Sequence, residues 1–348
     1  MPHINVRNRT TFAYDALVLA DEEGRFQYVP LVQATYGISA QGVLALLEEQ
    51  PGPDIAGAWH GDPALASPRL EPQIAITKLA TDVVLLGHAH AEALRDTAGQ
   101  VGIRVGPVHK VAAVIGNRKL VRRGGRVTVS AAEPFERIPL IYERAFGGWD
   151  RRNANPMAHR CEPRNPVGTG FCDASQDADA EVNLPNFEDP QRPFRAYGDT
   201  PPPVGFGFIA ANWQPRLAFG GTYDAEWDQT RKPLLPRDFD RRFFNAASPG
   251  LTTPGHLRGD EQVTVIGAAP EGRVQFPLPG VPAPVCMVEL RGRKRVRLQT
   301  ALDTVIVDMD QRVLTLMWRS HLPVRNGPHD VVSVELLPDA PDGTPASS

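Results

Sequence analysis

Cysteine is nearly missing from this chain, with Cys161, Cys172 and Cys286 the only three in 348 residues. An odd, sparse set cannot build a disulfide framework and fits a reducing compartment. Neither charge sign dominates: 37 Lys and Arg stand against 40 Asp and Glu, a net charge of −3. That balance provides no global attraction to nucleic acid or to an anionic membrane, so any basic feature must be local. No stretch approaches the roughly 18 apolar residues of a membrane-spanning helix. The opening MPHINVRNRT has neither a basic nor an apolar leader region, so no secretory signal is expected and the cytoplasm is the expected location. Also missing are a GxSxG elbow, a Walker A loop, a GxGxxG turn after a strand and an HExxH pair.

What is abundant is punctuation. The 34 prolines are roughly twice the usual share of about 5%, and 31 glycines accompany them. Proline at that density excludes long helices, because it removes a donor and clashes with the preceding turn. A hydrophobic content of 42% excludes a disordered chain. Both facts predict a mainly β fold: sandwich-like antiparallel sheets, a long ordered loop-rich central region and few short helices.

Four stretches follow from the pattern. Residues 1–146 read as an N-terminal β region and 147–254 as a Pro/Gly/aromatic loop region. Residues 255–336 read as a second β region, and 337–348 as a flexible tail. Phe26–Ile38 is apolar with a proline inside, which predicts an edge strand or a bulge. Thr81–Ala89 is strand-like, and Val101, Ile103 and Val105 alternate with period two. Gly116-Asn117 predicts a hairpin between Val111–Ile115 and Arg118–Arg122, and Gly124-Gly125 a second turn before Val127 and Val129. Gly42–Gln50 predicts a short helix stopped by Pro51. A helical turn is expected over 238–245, capped by Asp238 with Arg242 in reach and with Phe239 and Phe243 packed inward. In the last third, 262–266, 273–278, 285–298, 304–308 and 313–319 read as strands.

Several constellations invite a chemical reading. His88 and His90 share one strand face, but no third metal ligand stands near them, and polar residues on a solvated face are the simpler account. His159, Cys161 and Cys172 lack a CxxC half-site. Arg291, Arg293, Arg295 and Arg297 share one parity and Val288, Leu290, Val296 and Leu298 the other. A strand here would therefore carry a buried face and an arginine stripe, facing either an acidic or phosphate-bearing partner or carboxylates such as Asp303, Asp308 and Asp310. Glu143, Glu188, Asp224 and Asp240 are the acids available to a carboxylate-dependent hydrolase. No cofactor and no metal is expected.

The middle of the chain carries ordered blocks: Tyr142-Glu143-Arg144-Ala145-Phe146-Gly147-Gly148, Asn165-Pro166-Val167-Gly168, Leu184-Pro185-Asn186-Phe187-Glu188 and Pro203-Val204-Gly205-Phe206-Gly207. Trp213 with Arg216, Gly221-Thr222-Tyr223-Asp224 with Trp227, the run from Leu235 to Ala246 and Leu257-Arg258-Gly259-Asp260-Glu261 follow. Leu302-Asp303-Thr304 and Trp318-Arg319 add to them. In this order they resemble domain of unknown function 2169, a bacterial family found beside type VI secretion genes. The resemblance implies a cytoplasmic adaptor or chaperone that binds a secretion effector and assists its loading onto a VgrG or PAAR spike protein. It implies no catalytic residues. A hydrolase and a structural baseplate accessory are the alternatives. Tyr142, Arg144, Phe146, Trp149, Trp213, Arg216, Tyr223, Trp227 and Arg241 are the candidate partner-binding residues, being aromatic and arginine side chains of the kind enriched at interface hot spots. The alternative for the aromatics is the core of a loop-rich domain.

Overall fold

Phe26–Ile38 forms a 13-residue strand that is buried at almost every position, which is why it does not alternate. It lies inside a seven-stranded sheet. The spatial order is Ala13–Ala20, Phe26–Ile38, Val313–Arg319, Ala301–Asp308 and Asp82–Leu86, with Leu44–Leu46 and Leu322–Pro323 adding to Phe26–Ile38. The computed structural model describes residues 4–176 and 179–338. The last pair of that order, Thr304 beside Asp82 to Asp308 beside Leu86, is parallel. The edge position expected for Phe26–Ile38 is therefore corrected to an interior one. Pro30 is tolerated because it sits where the neighbouring chain changes: Leu31 pairs with Arg319, whereas Tyr28 pairs with Leu322.

A five-stranded antiparallel sheet follows the order Phe187–Glu188, Val108–Ile115, Ala98–Val105, Gln262–Ile266 and Arg273–Pro277. Here alternation decides the face. Val101, Ile103, Val105, Val263, Val265, Val274 and Phe276 point into one core that also contains Val83, Leu85, Val305 and Leu316 of the seven-stranded sheet. A third sheet joins Asn5–Asn8, Val331–Leu337, Val285–Leu290 and Lys294–Gln299. Strands from the first and last thirds of the chain thus share sheets, so the boundaries at 146 and 254 mark changes in chain character and separate no sheet. The expected tail lies outside the described residues from 339 onward. The mainly β fold stands: the described residues form several antiparallel sheets, no closed barrel and one α-helix shorter than seven residues.

Four local expectations are corrected. The helix expected over 42–50 is instead the strand Leu44–Leu46, paired with Tyr36, Gly37 and Ile38. Its donors find a neighbouring strand: Leu47 N–H bonds Thr35 O at 3.0 Å, and the Gln50 side chain clamps Thr35 N and O at 2.8 and 3.0 Å. Gly116-Asn117 does not close a hairpin. Val108–Ile115 pairs with Ala98–Val105, whereas Lys119–Arg123 pairs with Arg126–Val129 and Ala180–Asn183. Gly116 instead passes so close to Glu133 that a Cβ would lie 1.7 Å from its carbonyl oxygen. The Gly124-Gly125 turn does form, with φ of 54° and 77°, as a primed two-residue turn requires.

The stretch 285–298 is a hairpin, Val285–Leu290 against Lys294–Gln299. Arg291 and Arg293 lie in its turn, the latter at φ 64°, so the arginine stripe is broken. Arg295 faces Glu289 at 3.8 Å, while Asp303, Asp308 and Asp310 pair elsewhere, with Arg319, Arg69 and His88. The turn near 240 is a 3-10 helix, Arg241–Phe244, capped by Asp240. Asp238 instead accepts from Thr222 N and Oγ1 at 3.0 and 2.7 Å, and Arg242 pairs with Asp240. Phe239 and Phe243 are half-buried, with ring centroids 5.6 Å apart.

Candidate binding site of the central loops

Asn165 organises the loops. It is fully buried, and its Nδ2 donates to Tyr142 O at 2.8 Å and Phe146 O at 2.9 Å. Side-chain bonding here does the work of a strand partner, since buried carbonyls need donors. Gly147 and Gly148, at φ 150° and 93°, let the chains approach: added Cβ atoms would lie 2.1 Å from Asn165 O and 2.3 Å from Gly168 O.

This frame takes four of the nine candidate residues into the interior. Tyr142 and Trp213, each 3% exposed, stack edge to face at 5.6 Å. The Tyr142 hydroxyl donates to Ser248 Oγ at 2.9 Å. Phe146 packs between Phe171 and Phe194. Buried Arg216 pairs with Glu71 and donates to Phe243 O and Ile209 O at 2.7 and 2.9 Å. These side chains pack the loops, and no surface of theirs is open to a partner. Arg241 is tied to Glu22 at 2.6 Å.

The other four stand outside. Trp149 is 48% exposed, with the Arg151 guanidinium 5.3 Å from its ring centroid. Tyr223 is 55% exposed and packs edge-on against Trp227 at 4.7 Å. Half-buried Trp227 is held by its indole N–H on Leu234 O at 2.9 Å. It lies in the short α-helix Ala225–Thr230, whose cap Asp224 accepts from Trp227 N at 2.9 Å.

Exposed Arg144 lines a cleft of about 650 Å³ between its own turn, the loop Leu184–Asn186 and the end of strand Lys119–Arg123. Arg118 and Lys119 also line it, as do Glu133 and Glu143. Arg118 is committed to Glu188 behind the wall, and burial pushes the Glu188 carboxyl up from its ordinary value against the pull of that guanidinium. Ser67 receives Glu143: its N–H and Oγ each bond a Glu143 oxygen at 2.7 Å. The two residues are 76 positions apart, and no spacing rule couples them. Arg118, Lys119 and Ser67 were not singled out from sequence, because only the fold brings them to the Tyr-Glu-Arg turn.

The four acids proposed for hydrolysis are not paired with one another. Glu143 serves Ser67, Glu188 serves Arg118, and Asp224 and Asp240 cap short helices. His88 Nδ1 lies 2.7 Å from Asp310 Oδ2, and His159 Nε2 3.0 Å from Asn153 O. Burial holds the His90 imidazole below its ordinary value and the Cys161 and Cys172 thiols above theirs. Among the described residues, no three or more His, Cys, Asp or Glu side chains converge as a metal site would need. Among the described residues, no helix is long and apolar enough to cross a membrane.

Neither the curated proteins nor the solved structures gave a match to this chain. A family model did, over residues 23–319, a span that holds both the cleft and the Asn165 frame. The chain therefore belongs to the family described as an uncharacterized protein conserved in bacteria, domain of unknown function 2169.

Proposed function

We propose that this protein is a non-enzymatic adaptor that holds a type VI secretion effector in the cytoplasm and assists its loading onto a VgrG or PAAR spike protein. The secretion context comes from the resemblance carried by the blocks between Tyr142 and Glu261. The observation that carries the binding role is the split within those blocks. Tyr142, Phe146, Trp213 and Arg216 lock the loops from inside, while Arg144, Trp149, Tyr223 and Trp227 are displayed on them. Arginine and aromatic side chains dominate interface energies, and loops already ordered lose less freedom when a partner arrives. The commitment of the four acids to caps, an ion pair and the Ser67 hydrogen bonds also supports binding over turnover.

The test is affinity purification of the full chain from a secreting cell, beside a Trp149→Ala/Tyr223→Ala double variant. An effector or spike protein should co-purify with the native chain and be depleted with the variant, at unchanged thermal midpoint. If none is recovered, and secretion continues after the gene is deleted, the adaptor reading fails.

A further inference from the structure

The cleft beside Arg144 differs from the aromatic display in chemistry and in shape. Its volume of about 650 Å³ falls in the range of about 300–1,000 Å³ usual for ligand sites. Its walls are mostly polar, with Asn117, Asn183 and Asn186 among the lining residues. The charged groups are committed to very different degrees. Arg118 is fixed on Glu188. Glu143 is held at both oxygens by Ser67. Lys119 touches Glu181 at 3.0 Å, but both side chains are about half exposed, and such surface pairs exchange partners at little cost. Arg144 is exposed and its guanidinium has no bonded partner among the described residues. Its backbone, by contrast, is fixed: Arg144 N bonds Ile141 O at 3.1 Å, and Arg144 O receives Asn186 N at 2.8 Å.

A fixed backbone, a free planar fork and a readily released ammonium lining the same cleft make a receptor for a carboxylate. Guanidinium binds that group through two parallel bonds. The exposed Asn183 amide and the Asn117 amide nitrogen can serve a peptide backbone, while buried Asn186 is spent on Ile115 O and Asn117 Oδ1 at 2.8 and 3.2 Å. We propose that this cleft binds an acidic polypeptide segment, with Arg144 as the main anchor and Lys119 as the second cation. That the segment belongs to a cargo protein rests on the adaptor reading; the carboxylate preference rests on the cleft alone. Exposed Glu133, which also lines the cleft, disfavours a densely anionic ligand. A segment carrying one or two carboxylates suits the balance better than a nucleic acid backbone.

The experiment is titration of the full chain with a fluorescent hexapeptide containing two Asp residues, with its Asn counterpart and with inorganic phosphate as competitor. Saturable binding of the Asp peptide is expected, with at least tenfold weaker binding of the Asn peptide. Arg144→Gln should weaken the Asp peptide at least tenfold and Lys119→Gln about threefold. Neither substitution removes a buried contact, so thermal midpoints should not move. Absent saturation, equal affinity for the Asn peptide, or binding indifferent to Arg144→Gln overturns the proposal. Phosphate displacing the peptide at equal concentration reassigns the cleft to phosphoryl groups and also overturns it. The adaptor reading is judged separately: if Arg144→Gln still co-purifies with an effector, only the cleft proposal fails.

Discussion

The sheets and the central loops both bury their backbone, by opposite means. In the sheets, ladder bonds satisfy the chain and aliphatic side chains fill the space, as Val305 and Leu316 do at 0% exposure. Between Tyr142 and Ala247, named strands rarely exceed two residues, and polar side chains replace the ladder. Asn165 bonds the carbonyls of Tyr142 and Phe146, Arg216 those of Ile209 and Phe243. Asp82 reaches from the seven-stranded sheet to Ala246 N at 2.9 Å and Asn245 Nδ2 at 3.1 Å. Loops built this way are positioned side chain by side chain, which suits a surface that must present a few groups. They are also vulnerable to single polar substitutions that a sheet would absorb.

The buried charge network of the seven-stranded sheet, whose Asp82 reaches the central loops, should be the most sensitive place. Arg319, 4% exposed, pairs with Asp303 and donates to Ala75 O and Gln73 Oε1. Lys78 pairs with Asp82 at 2.9 Å and bonds Thr304 Oγ1 at 2.9 Å. Burial by itself pushes the Asp303 carboxyl up, but the Arg319 and Lys78 charges outweigh it and hold it below the usual carboxylate range. Arg319→Met strands a buried carboxylate and should cost about 3–5 kcal/mol in urea unfolding. A loss under 1 kcal/mol would show that the network is dispensable. Because the folded pKa of Asp303 is depressed, its contribution is present above the unfolded value and lost as pH falls through the folded one. The native chain should therefore lose stability in acid more steeply than Asp303→Asn does.

The next two substitutions set the regions side by side. Leu316→Ala leaves a cavity in the sheet core and should cost about 3 kcal/mol. Asn165→Ala removes as many heavy atoms but takes a donor from the Phe146 carbonyl and leaves the Tyr142 carbonyl only the Ala145 N–H, and should cost about 1–3 kcal/mol. The discriminating readout is local. Limited proteolysis should cut Asn165→Ala first between residues 142 and 247, whereas Leu316→Ala should be cut only through global unfolding. Identical cleavage patterns would contradict the contrast.

Lys110 offers a smaller, pH-dependent effect. Its Nζ bonds Ser248 Oγ at 2.6 Å and Pro249 O at 3.0 Å, with no carboxylate in contact among the described residues. Burial brings its pKa down to about 7, with Asp189 opposing weakly. A lysine whose folded pKa lies below the unfolded value of about 10.4 binds fewer protons folded than unfolded between those two values, so stability rises with pH across that window. The thermal midpoint should climb from pH 7 to pH 9, and Lys110→Met should flatten the climb. A flat native profile would remove the burial argument. Smallest of all, Trp149→Ala should change stability by no more than about 0.5 kcal/mol, because the ring is half exposed; a larger loss would make it a packing residue and take it off the binding surface.

The strands at 26–38, 262–266 and 313–319 were legible because period and apolarity act over a few neighbouring residues. Even there, Pro30 suggested an edge, since nothing local reveals that the adjacent strand changes at that point. The hairpin expected at Gly116-Asn117 and the helix over 42–50 failed because competing nearby pairings won: Val108–Ile115 folds back on Ala98–Val105, Lys119–Arg123 pairs forward with Arg126–Val129, and Leu44–Leu46 pairs with Tyr36, Gly37 and Ile38. In the candidate site, residue type identified what could bind and was silent on exposure. Tyr142 and Trp149 look alike as residues, and one is core while the other is surface.

The sequence by itself therefore determined the class of fold, the loop-rich middle and the family, all properties of composition, short-range pattern and order along the chain. Tertiary structure decided which of the aromatic and arginine residues face outward, and it assembled the Arg144 cleft from elements far apart in sequence. It also tied Glu143 to Ser67 across 76 residues. Burial and charge pairing are set by what lies across the gap in space, and spacing along the chain does not encode that.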